Sequence, residues 1–407
     1  MRHGRHPVSR GSATATIGTV KAVVVGAGVF GTWTALWLRR RGASVTLVDQ
    51  YGPGNSLSSS GDESRVTRSA HGPDELYPRW QRHALEEWRA LEESLGERLF
   101  VRTGVVWFAH RDDGFEADSL TALERLGIPV ERWSADDLAS RMPHLRAPDV
   151  TWALHEPEGG ALLARRAVAA AARAFVREGG ELRIGLAQTP DTPGVVRLAD
   201  GAVLEADATV YAAGPWLARL LGSLGGLELE VPQQEVIYIA TPPGDPRFDA
   251  DRHPIWVDYD RSFYGIPSVE ARGFKIAPDW PGPTVDPDRQ ERRLSDERVD
   301  ASRVYLRERF PELAEQPVAE GRVCQYELTA DTHFVIDRHP DLADTWVVGG
   351  GSGHGFKHGP SVGEYAAALV AGDEDSTIAL APPDRRFALG PRTAGLGMRT
   401  AAVAPGS

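Results

Sequence analysis

The chain has 407 residues, of which 42% are hydrophobic and 25% are charged, the composition of a globular protein with room for two domains. Its formal net charge of −12, without a basic block, argues against nucleic acid or an anionic membrane surface as a partner. Its one cysteine, Cys324, excludes an intrachain disulfide and a cysteine-rich metal site.

Residues 1–20 contain basic side chains but lack the apolar core of a signal peptide, which predicts a disordered extension. No apolar run approaches the roughly 18 residues of a membrane-spanning helix. The single cysteine fits a reducing compartment. We therefore expect a cytoplasmic protein without a membrane partner.

The first predicted elements are a strand, a glycine turn and a helix. The β-branched residues 23–25 run into Gly-x-Gly-x-x-Gly, and an apolar segment at helical spacing covers residues 32–41. In such a turn Gly26 permits the tight bend, Gly28 lets the backbone approach a pyrophosphate, and Gly31 lets helix and strand pack closely. This order of elements predicts dinucleotide binding.

The second predicted strand, residues 44–49, supports the same conclusion. It ends at Asp49, about 20 residues after Gly28, where a carboxylate receives the ribose hydroxyls of the adenosine. The carboxylate would also repel a 2′-phosphate. A simple nicotinamide domain would then continue as strand, helix and strand, whereas here a long loop of small residues follows over residues 52–62.

The remaining predicted elements are of two kinds. Helices are predicted over residues 75–94, 161–178, 286–310 and 361–371, short helices around a strand over residues 121–140, and strands over residues 99–110, 195–198, 203–205, 208–216, 236–240, 255–259, 262–266, 273–277 and 345–351. Nucleotide-binding elements thus occur near both ends and in the middle of the chain, with antiparallel sheet between them.

This interleaving predicts an α/β fold with a Rossmann-like FAD-binding domain that is discontinuous in sequence, and a second α+β substrate domain on a mostly antiparallel sheet. The predicted boundaries assign residues 21–98, 151–228 and 322–388 to the FAD domain, residues 99–150 and 229–321 to the substrate domain, and residues 389–407 to a flexible tail. FAD is long enough to need both glycine turns of such a domain.

Several polar residues have more than one interpretation from the sequence alone. Arg65 and Arg68 could lie on a solvated face, and Lys357 could be exposed after a flexible glycine run. Lys275 could be the solvent-facing member of an alternating strand. A lone cysteine such as Cys324 is most often a small buried hydrophobic residue, but it can also be a nucleophile.

Dispersed motifs, in order along the chain, resemble those of the monomeric sarcosine oxidase and N-methyltryptophan oxidase family, which are FAD-dependent amine oxidases of the D-amino-acid-oxidase-like superfamily. The resemblance runs from about Lys21 to Ala381. Its motifs are Gly26-x-Gly28-x-x-Gly31, Gly61-Asp62 with Arg65-x-x-Arg68, Tyr264-Gly265-Ile266-Pro267-Ser268, Lys275, Cys324-Gln325-Tyr326 and Gly353-His354-Gly355-Phe356-Lys357. Several motifs in one order are far more specific than a glycine turn alone.

The resemblance implies cofactor roles for residues outside the first glycine turn. It implies that Cys324 carries the flavin through a thioether at the 8α-methyl group and that Arg65 lies against the flavin. The C-terminal glycine turn, with Gly351, Gly353 and Gly355, would hold the far end of the dinucleotide. The positive end of the helix expected after Gly351 would stabilise negative charge on the flavin ring.

The resemblance also implies substrate and oxygen roles. Arg68 and Lys357 would clamp a substrate carboxylate, which a fixed guanidinium can bind in bidentate fashion. Lys275 would promote oxygen reduction, because an ammonium group stabilises the superoxide anion. Tyr264 and Tyr326 would line the pocket, although either could instead be a core tyrosine.

One position departs from the family pattern. The sarcosine-oxidising members have a histidine four residues past the lysine, where this chain has Asp279. The carboxylate would change the polarity near the amine and predicts that sarcosine itself is not the substrate. A larger or more basic secondary amino acid is expected, with Trp256, Asp279 and Trp280 shaping its side-chain space.

The predicted activity is that of an FAD-dependent oxidase of a secondary amine, which transfers hydride from the C–N unit to flavin and yields hydrogen peroxide after imine hydrolysis. Two alternatives remain at this stage: a dehydrogenase of the same fold that passes electrons to a carrier, and a flavin-holding subunit without a substrate. The expected partners are a small-molecule amine and O2, and the expected state is a monomer. No metal is predicted, since His354 and His358 straddle a glycine turn without an intervening carboxylate.

Overall fold

The computed structural model of the protein describes residues 20–373 and 385–394. Its helices are α1 Val29–Arg40, α2 Leu76–Leu95, α3 Phe115–Arg125, α4 Ala135–Arg141, α5 Ala164–Arg177, α6 Leu217–Leu221, α7 Asp296–Arg309, α8 Pro311–Ala314 and α9 Gly359–Val370. Its strands are β1 Lys21–Val25, β2 Ser44–Asp49, β3 Arg65–Thr67, β4 Phe100–Arg102, β5 Val105–Ala109, β6 Glu131–Ser134, β7 Trp152–Glu156, β8 Gly160–Leu162, β9 Glu181–Ile184, β10 Val195–Arg197, β11 Val203–Glu205, β12 Ala208–Tyr211, β13 Gln233–Ile239, β14 Ile255–Asp258, β15 Phe263–Ile266, β16 Phe274–Pro278, β17 Val318–Gln325, β18 Val335–Arg338 and β19 Thr345–Gly349.

The dinucleotide-binding elements form a six-stranded sheet in the order β18-β19-β12-β1-β2-β9, in which every pair except β18 with β19 is parallel. Parallel strands need crossover helices that cover the faces of the sheet, so their residues are apolar on both sides, as in β1. Helices α1 and α9 pack closely together here, because a side chain at Gly363 would lie 2.5 Å from the backbone of Trp33. The predicted Rossmann-like, mixed α/β fold is confirmed.

The second large sheet has eight strands in the order β17-β13-β16-β15-β14-β5-β7-β6 and is antiparallel except where β5 meets β14. Helices α7 and α8 cover one face, where Trp256, Phe274, Tyr305 and Phe310 form an aromatic core. The predicted mostly antiparallel second sheet is thus present. A small sheet of β3, β8 and β4 lies apart from both large sheets.

Several elements differ from the sequence predictions; the strand predicted over residues 208–216, for example, ends at Tyr211. The strand predicted over residues 99–110 is two strands, β4 and β5, separated by Gly104 in a left-handed conformation (φ 73°). The helix predicted over residues 286–310 begins only at Asp296, after Ser295 accepts a hydrogen bond from the backbone of Arg298. Strand β7, within the segment assigned to the FAD domain, pairs in the eight-stranded sheet, and the division into domains remains a prediction.

The late start of α7 has a local cause. The side chains of Gln290 and Arg292 donate hydrogen bonds to the backbone oxygens of Cys324 (3.0 Å) and Val323 (2.9 Å), which holds residues 286–295 against β17 as an irregular segment. Pro287 also disfavours helix at the preceding residue.

Of the extension predicted over residues 1–20, only Val20 is among the described residues. Of the tail predicted over residues 389–407, the part after residue 394 lies outside them. None of the helices in the described ranges combines the length and the apolarity that a bilayer crossing requires.

Candidate active site

The first glycine turn has the geometry of a phosphate-binding turn. Gly26 has φ +105°, and a Cβ atom there would lie 2.3 Å from the backbone oxygen of Ala212, while a Cβ at Gly31 would lie 1.9 Å from the oxygen of Gly26. At Gly28 the added Cβ would meet only Ser60 Oγ, at 3.4 Å. The turn therefore needs Gly26 and Gly31 for its own packing, and the space above Gly28 remains for a ligand.

Asp49 lies at the end of β2 beside this turn. Its carboxylate accepts hydrogen bonds from the backbone N–H groups of Ala27 (2.7 Å), Tyr51 (2.8 Å) and Gly52 (2.7 Å). Burial raises the pKa of Asp49. One cavity is lined by Gly26, Gly28 and Asp49. Gly28 also lines a second cavity, which we call the central cavity. A dinucleotide could pass from one to the other over Gly28.

The central cavity lies where the carboxyl ends of β1 and β19 face the eight-stranded sheet. Eleven of the residues that the sequence singled out line it: Gly28, Arg65, Arg68, Tyr264, Asp279, Cys324, Tyr326, Gly351, Gly353, Gly355 and Lys357. Gly26, Gly31, Asp49 and Lys275 do not line it; Gly31 packs beneath the first turn, and Lys275 lies buried beside Arg65. The fold thus collects residues from five distant segments in one place.

A buried charge cluster lies along one side of this cavity. Lys275 is 1% exposed and donates to Asp62 Oδ2 at 2.6 Å and to Ser64 O at 2.9 Å, which excludes a solvent-facing lysine. Arg65 pairs with the same carboxylate, and one of its nitrogens lies 3.5 Å from the Sγ atom of Cys324. Burial alone would raise the pKa of Asp62, but the charges of Lys275 and Arg65 hold it well below its usual range.

Arg68 and Lys357 form a second cationic group. Both are buried: Arg68 donates to His71 Nε2 at 2.9 Å, and Lys357 donates to the backbone oxygen of His354 at 2.8 Å. Burial lowers the pKa of Arg68 to about 10, and burial together with the charge of Arg68 lowers the pKa of Lys357. Burial destabilises both cations, so an anion bound beside them would be favourable, and the predicted clamp remains a prediction.

Glu156 lies beneath the segment that follows Arg68. Its carboxylate accepts hydrogen bonds from the backbone N–H of Ser69 (2.5 Å) and from Trp107 Nε1 (2.9 Å), and burial raises its pKa. It is the acidic group that acts electrostatically on both Arg68 and Lys357. The carboxylate therefore fixes the backbone next to Arg68.

Asp279 directly follows β16 on the wall of the cavity. Its Oδ1 atom accepts a hydrogen bond from the hydroxyl of Tyr326 (3.1 Å), and burial raises its pKa to about 6. Tyr264 lines the same wall, and burial raises the pKa of its hydroxyl above the usual value. Neither tyrosine is an ordinary core residue, because both face the cavity.

Two residues predicted to shape the substrate space do not line the cavity. Trp256 is fully buried and stacks on Tyr305 with ring centroids 5.2 Å apart, and Trp280 packs against Phe263 and Arg298. These predictions were wrong because Trp256 points to the helix-covered face of the sheet. The aromatic residues on the cavity wall are Trp107, Tyr259, Tyr264, Phe30, Tyr326 and Phe356.

The C-terminal glycine turn leads towards the helix that was predicted over residues 361–371. Helix α9 begins at Gly359, two residues before the predicted start, and a turn and a short 3-10 segment, Phe356–His358, separate it from Gly351. The carboxylate of Glu327 accepts a hydrogen bond from the backbone N–H of Gly350 (2.8 Å), and burial raises its pKa to about 7. The turn is thus held by a side chain as well as by its own backbone.

Three histidines come together behind Lys357. Ligand nitrogens of His71, His354 and His358 lie within 4.8 Å of one another, and burial lowers the pKa of all three. Arg68, however, donates to Nε2 of His71, and its charge and that of Lys357 would repel a divalent cation. The absence of a metal site therefore stays a prediction.

Sequence analysis missed the roles of several buried polar residues: Asp62, His71, Glu156 and Glu327. Asp62 had a signal, since it lies within one of the quoted motifs, but no role followed from its type. Glu156 ends a strand of apolar character, and a lone acidic residue there could have been recognised as buried. His71 and Glu327 have no signal in the sequence.

Comparison with known proteins identifies the family. The family model described as FAD dependent oxidoreductase matches residues 21–369. The chain belongs to this family. It is 31% identical to a monomeric sarcosine oxidase of Streptomyces avermitilis, over 92% of this chain and 99% of the relative, and 27% identical to an N-methyl-L-tryptophan oxidase of Salmonella dublin, over 87% and 95%. The resemblance predicted from the motifs is confirmed.

A solved structure supports the fold of this FAD-dependent oxidoreductase. The L-proline dehydrogenase of P. horikoshii superposes with a TM-score of 0.79 at 19% identity, covering 91% of this chain and 96% of that one. The residues present also fit FAD: the turn at Gly28 leaves room for a pyrophosphate, and the glycine turn at Gly351 lines the same central cavity. The predicted FAD-dependent enzyme class is therefore confirmed.

Proposed function

We propose that the enzyme oxidises a secondary amino acid at the C–N bond and uses O2 as the electron acceptor. The observation that carries this proposal is the position of Arg68 and Lys357, two buried cations on the wall of the cavity that would hold the flavin. A carboxylate bound there would place the carbon next to it over the same space. FAD, when bound, supplies the chemistry, since it accepts a hydride and its electrons pass to oxygen, giving hydrogen peroxide.

The residues of the chain would do the remaining work. Arg68 and Lys357 orient the substrate through its carboxylate, which turns a bimolecular encounter into a fixed geometry. The buried walls of Tyr264 and Tyr326 exclude water from the reacting carbon. Lys275, held by Asp62, stabilises negative charge that develops on oxygen.

Cys324 would bind the cofactor covalently. Its Sγ atom lies in the cavity lining beside Arg65. The thioether would replace the thiol hydrogen and one hydrogen of the 8α-methyl group, and oxygen would take up the two electrons and two protons that are released. Such a bond prevents loss of the cofactor, and we expect the enzyme to work as a monomer.

The first test is to denature the purified protein in acid, centrifuge it and record where the yellow colour goes. Colour in the pellet supports the covalent bond, and Cys324→Ala should then release it to the supernatant. Colour in the supernatant from the natural protein would contradict the role of Cys324 while leaving FAD binding intact. A colourless protein would contradict the proposed cofactor site.

The second test is a panel of secondary amino acids, assayed for peroxide under air and for flavin bleaching without air. Bleaching with peroxide supports the oxidase. Bleaching without peroxide, with turnover on an artificial acceptor, would indicate a dehydrogenase, and a flavin that no amine bleaches would indicate a subunit without a substrate. If sarcosine had the highest kcat/KM of the panel, the preference for a larger or more basic substrate would be wrong.

A further inference from the structure

An amino acid near neutral pH carries its amine as an ammonium group, and that group cannot release hydride from the neighbouring carbon. The nitrogen needs its lone pair to form the C=N bond, so one proton must leave before the oxidation. A side chain on the cavity wall that accepts this proton would accelerate the reaction by about 10²–10⁴-fold. Such an acceptor must lie beside the amine of the bound substrate.

Asp279 has the required position. It directly follows β16, and its backbone N–H still donates to Ser262 O at 2.8 Å, as in a strand pairing. Side chains alternate between the two faces of a strand, so Asp279 lies on the same face as Lys275 and Ala277, which is the face towards the cavity. Tyr264, which pairs with Ala277 in β15, lines the same wall. The carboxylate is therefore presented to the cavity by the sheet itself.

The hydrogen bonds of Asp279 leave one oxygen for a ligand. Oδ1 accepts from the Tyr326 hydroxyl, which is the one hydrogen bond that the described residues donate to this carboxylate. Arg298 lies nearby on α7, but its guanidinium donates to the backbone oxygens of Pro278 (3.0 Å) and Trp280 (2.8 Å). Asp279 is half-buried and lines the cavity, so Oδ2 is available to a cation there.

Other titratable groups of the lining are less suited to accept a proton. Burial raises the pKa of Tyr264 and Tyr326, so both hydroxyls stay protonated and can only donate. Arg68 places a positive charge near Asp279, and this charge favours the ionised carboxylate. Glu327 is already engaged, because its Oε2 atom accepts a hydrogen bond from the backbone N–H of Gly350 in the glycine turn. His354 donates through Nε2 to Thr332 O, and burial beside Lys357 lowers its pKa.

We propose that Asp279 accepts the ammonium proton of the bound amino acid while Arg68 and Lys357 hold its carboxylate; this rests on the proposed function. The proton moves from the nitrogen to Oδ2, giving a carboxylic acid and a neutral amine. The C–H electron pair could then leave as hydride, for which bound FAD would be the acceptor, while the nitrogen lone pair forms the C=N bond. The site is thereby matched to a zwitterion, with a cationic group at one end and an anionic group at the other. Because its pKa is about 6, Asp279 is ionised at neutral pH.

The test measures the rate of flavin reduction by the best substrate of the panel, without air, from pH 6 to pH 10. We expect Asp279→Asn to slow reduction at neutral pH by about 100-fold or more and to recover as the pH approaches the pKa of the substrate amine, because the amine then enters already neutral. Glu235→Gln is the matched control: Glu235 also belongs to the cavity lining, but its carboxylate accepts from Ser295 N at 2.8 Å, and the pH profile of this variant should not change.

Two results would overturn the proposal: an Asp279→Asn enzyme with the natural rate and pH profile, or one equally slow at every pH. A binding measurement separates a damaged site from a lost proton acceptor. A carboxylate analogue of the substrate without nitrogen should perturb the flavin spectrum of both enzymes with similar Kd, and loss of that binding in the variant would also overturn the proposal. A natural enzyme that no amino acid reduces would instead contradict the proposed function itself.

Discussion

Lys275 and Asp62 form a buried ion pair, with Nζ of the lysine 2.6 Å from Oδ2 of the aspartate. The two residues are separated by more than 200 positions in sequence and are brought together where β16 passes the loop before β3. Arg65 binds the same carboxylate, so the three side chains carry a net charge of +1 when all are ionised. Burial lowers the pKa of Lys275, and Asp62 opposes that effect.

Asp62 is therefore expected to control the charge of Lys275, the residue for which we propose a role in oxygen reduction. In Asp62→Asn, Lys275 would lose its proton because only the positive charge of Arg65 would remain beside it. In both Asp62→Asn and Lys275→Met, reoxidation of the reduced flavin should slow by about 100-fold, while reduction by substrate should change much less. Stopped-flow mixing of reduced enzyme with oxygenated buffer measures this step, and unchanged reoxidation in both variants would contradict the role of Lys275.

Stability distinguishes the same two variants. Removing one partner of a buried pair either leaves an uncompensated charge or forces the remaining group to become neutral, and it costs about 3–5 kcal/mol, whereas removing both partners costs much less. We expect Asp62→Asn to be the less stable single variant in denaturant unfolding and the double variant with Lys275→Met to recover part of the loss. A double variant as unstable as the sum of the two singles would indicate that the pair is not coupled.

The first glycine turn provides a matched pair of substitutions. Gly31→Ala would place a Cβ atom 1.9 Å from Gly26 O and should destabilise the domain severely. Gly28 has ordinary backbone angles (φ −70°), and a Cβ atom added there would meet only Ser60 Oγ. The Gly28→Ala protein should therefore fold but bind FAD poorly. Flavin content and the unfolding temperature of the apoprotein measure the two effects. A fully loaded Gly28→Ala enzyme would contradict the pyrophosphate position.

The sequence predicted the cofactor site better than the substrate site. The six-stranded sheet follows from buried apolar strands and from a glycine turn whose spacing is fixed by local geometry, and such signals lie within short segments. The clamp at Arg68 and Lys357 came from the family resemblance, since no local pattern shows that two distant cations share a cavity. Their burial, which excludes a solvated face, appears only in the folded chain.

The errors have the same origin. Trp256 lies on an alternating strand, and alternation shows that two faces exist but does not show which face meets the cavity. The missing helical turns before Asp296 reflect hydrogen bonds from Gln290 and Arg292 to β17, a tertiary effect that overrides helix propensity. The hydrogen bonds of Glu327 and Glu156 likewise depend on backbone groups from other segments.

Arg68 is expected to bind the substrate carboxylate through a planar fork that lysine cannot reproduce. Arg68→Lys keeps the charge but loses one charge-assisted hydrogen bond, worth about 1.5–3 kcal/mol, so kcat/KM should fall by about 10- to 100-fold. The change should appear mainly in KM. A matched amine without the carboxylate should react equally with both enzymes, and an equal loss on that amine would show that the substitution disturbs the cavity generally.

Two histidines outside the site should show opposite pH dependence. The hydrogen bond from His110 Nε2 to Asp258 (2.8 Å) raises the pKa of His110, so its contribution to stability is fully present below the unfolded pKa of about 6.5 and is lost as the pH rises through the folded value. Burial lowers the pKa of His155, which stacks on Trp133, so its neutral form is favoured and stability is lost as the pH falls.

Thermal unfolding of the two glutamine variants at pH 5.5 and pH 8.5 tests this contrast. His110→Gln should be destabilised relative to the natural protein mainly at pH 5.5, where the imidazolium pairs with the buried carboxylate of Asp258. His155→Gln should show its larger deficit at pH 8.5, because the natural protein at pH 5.5 has already lost part of the stability that the neutral ring contributes. Deficits that do not depend on pH would mean that both rings contribute through packing alone, and reversed trends would contradict the assigned pKa directions.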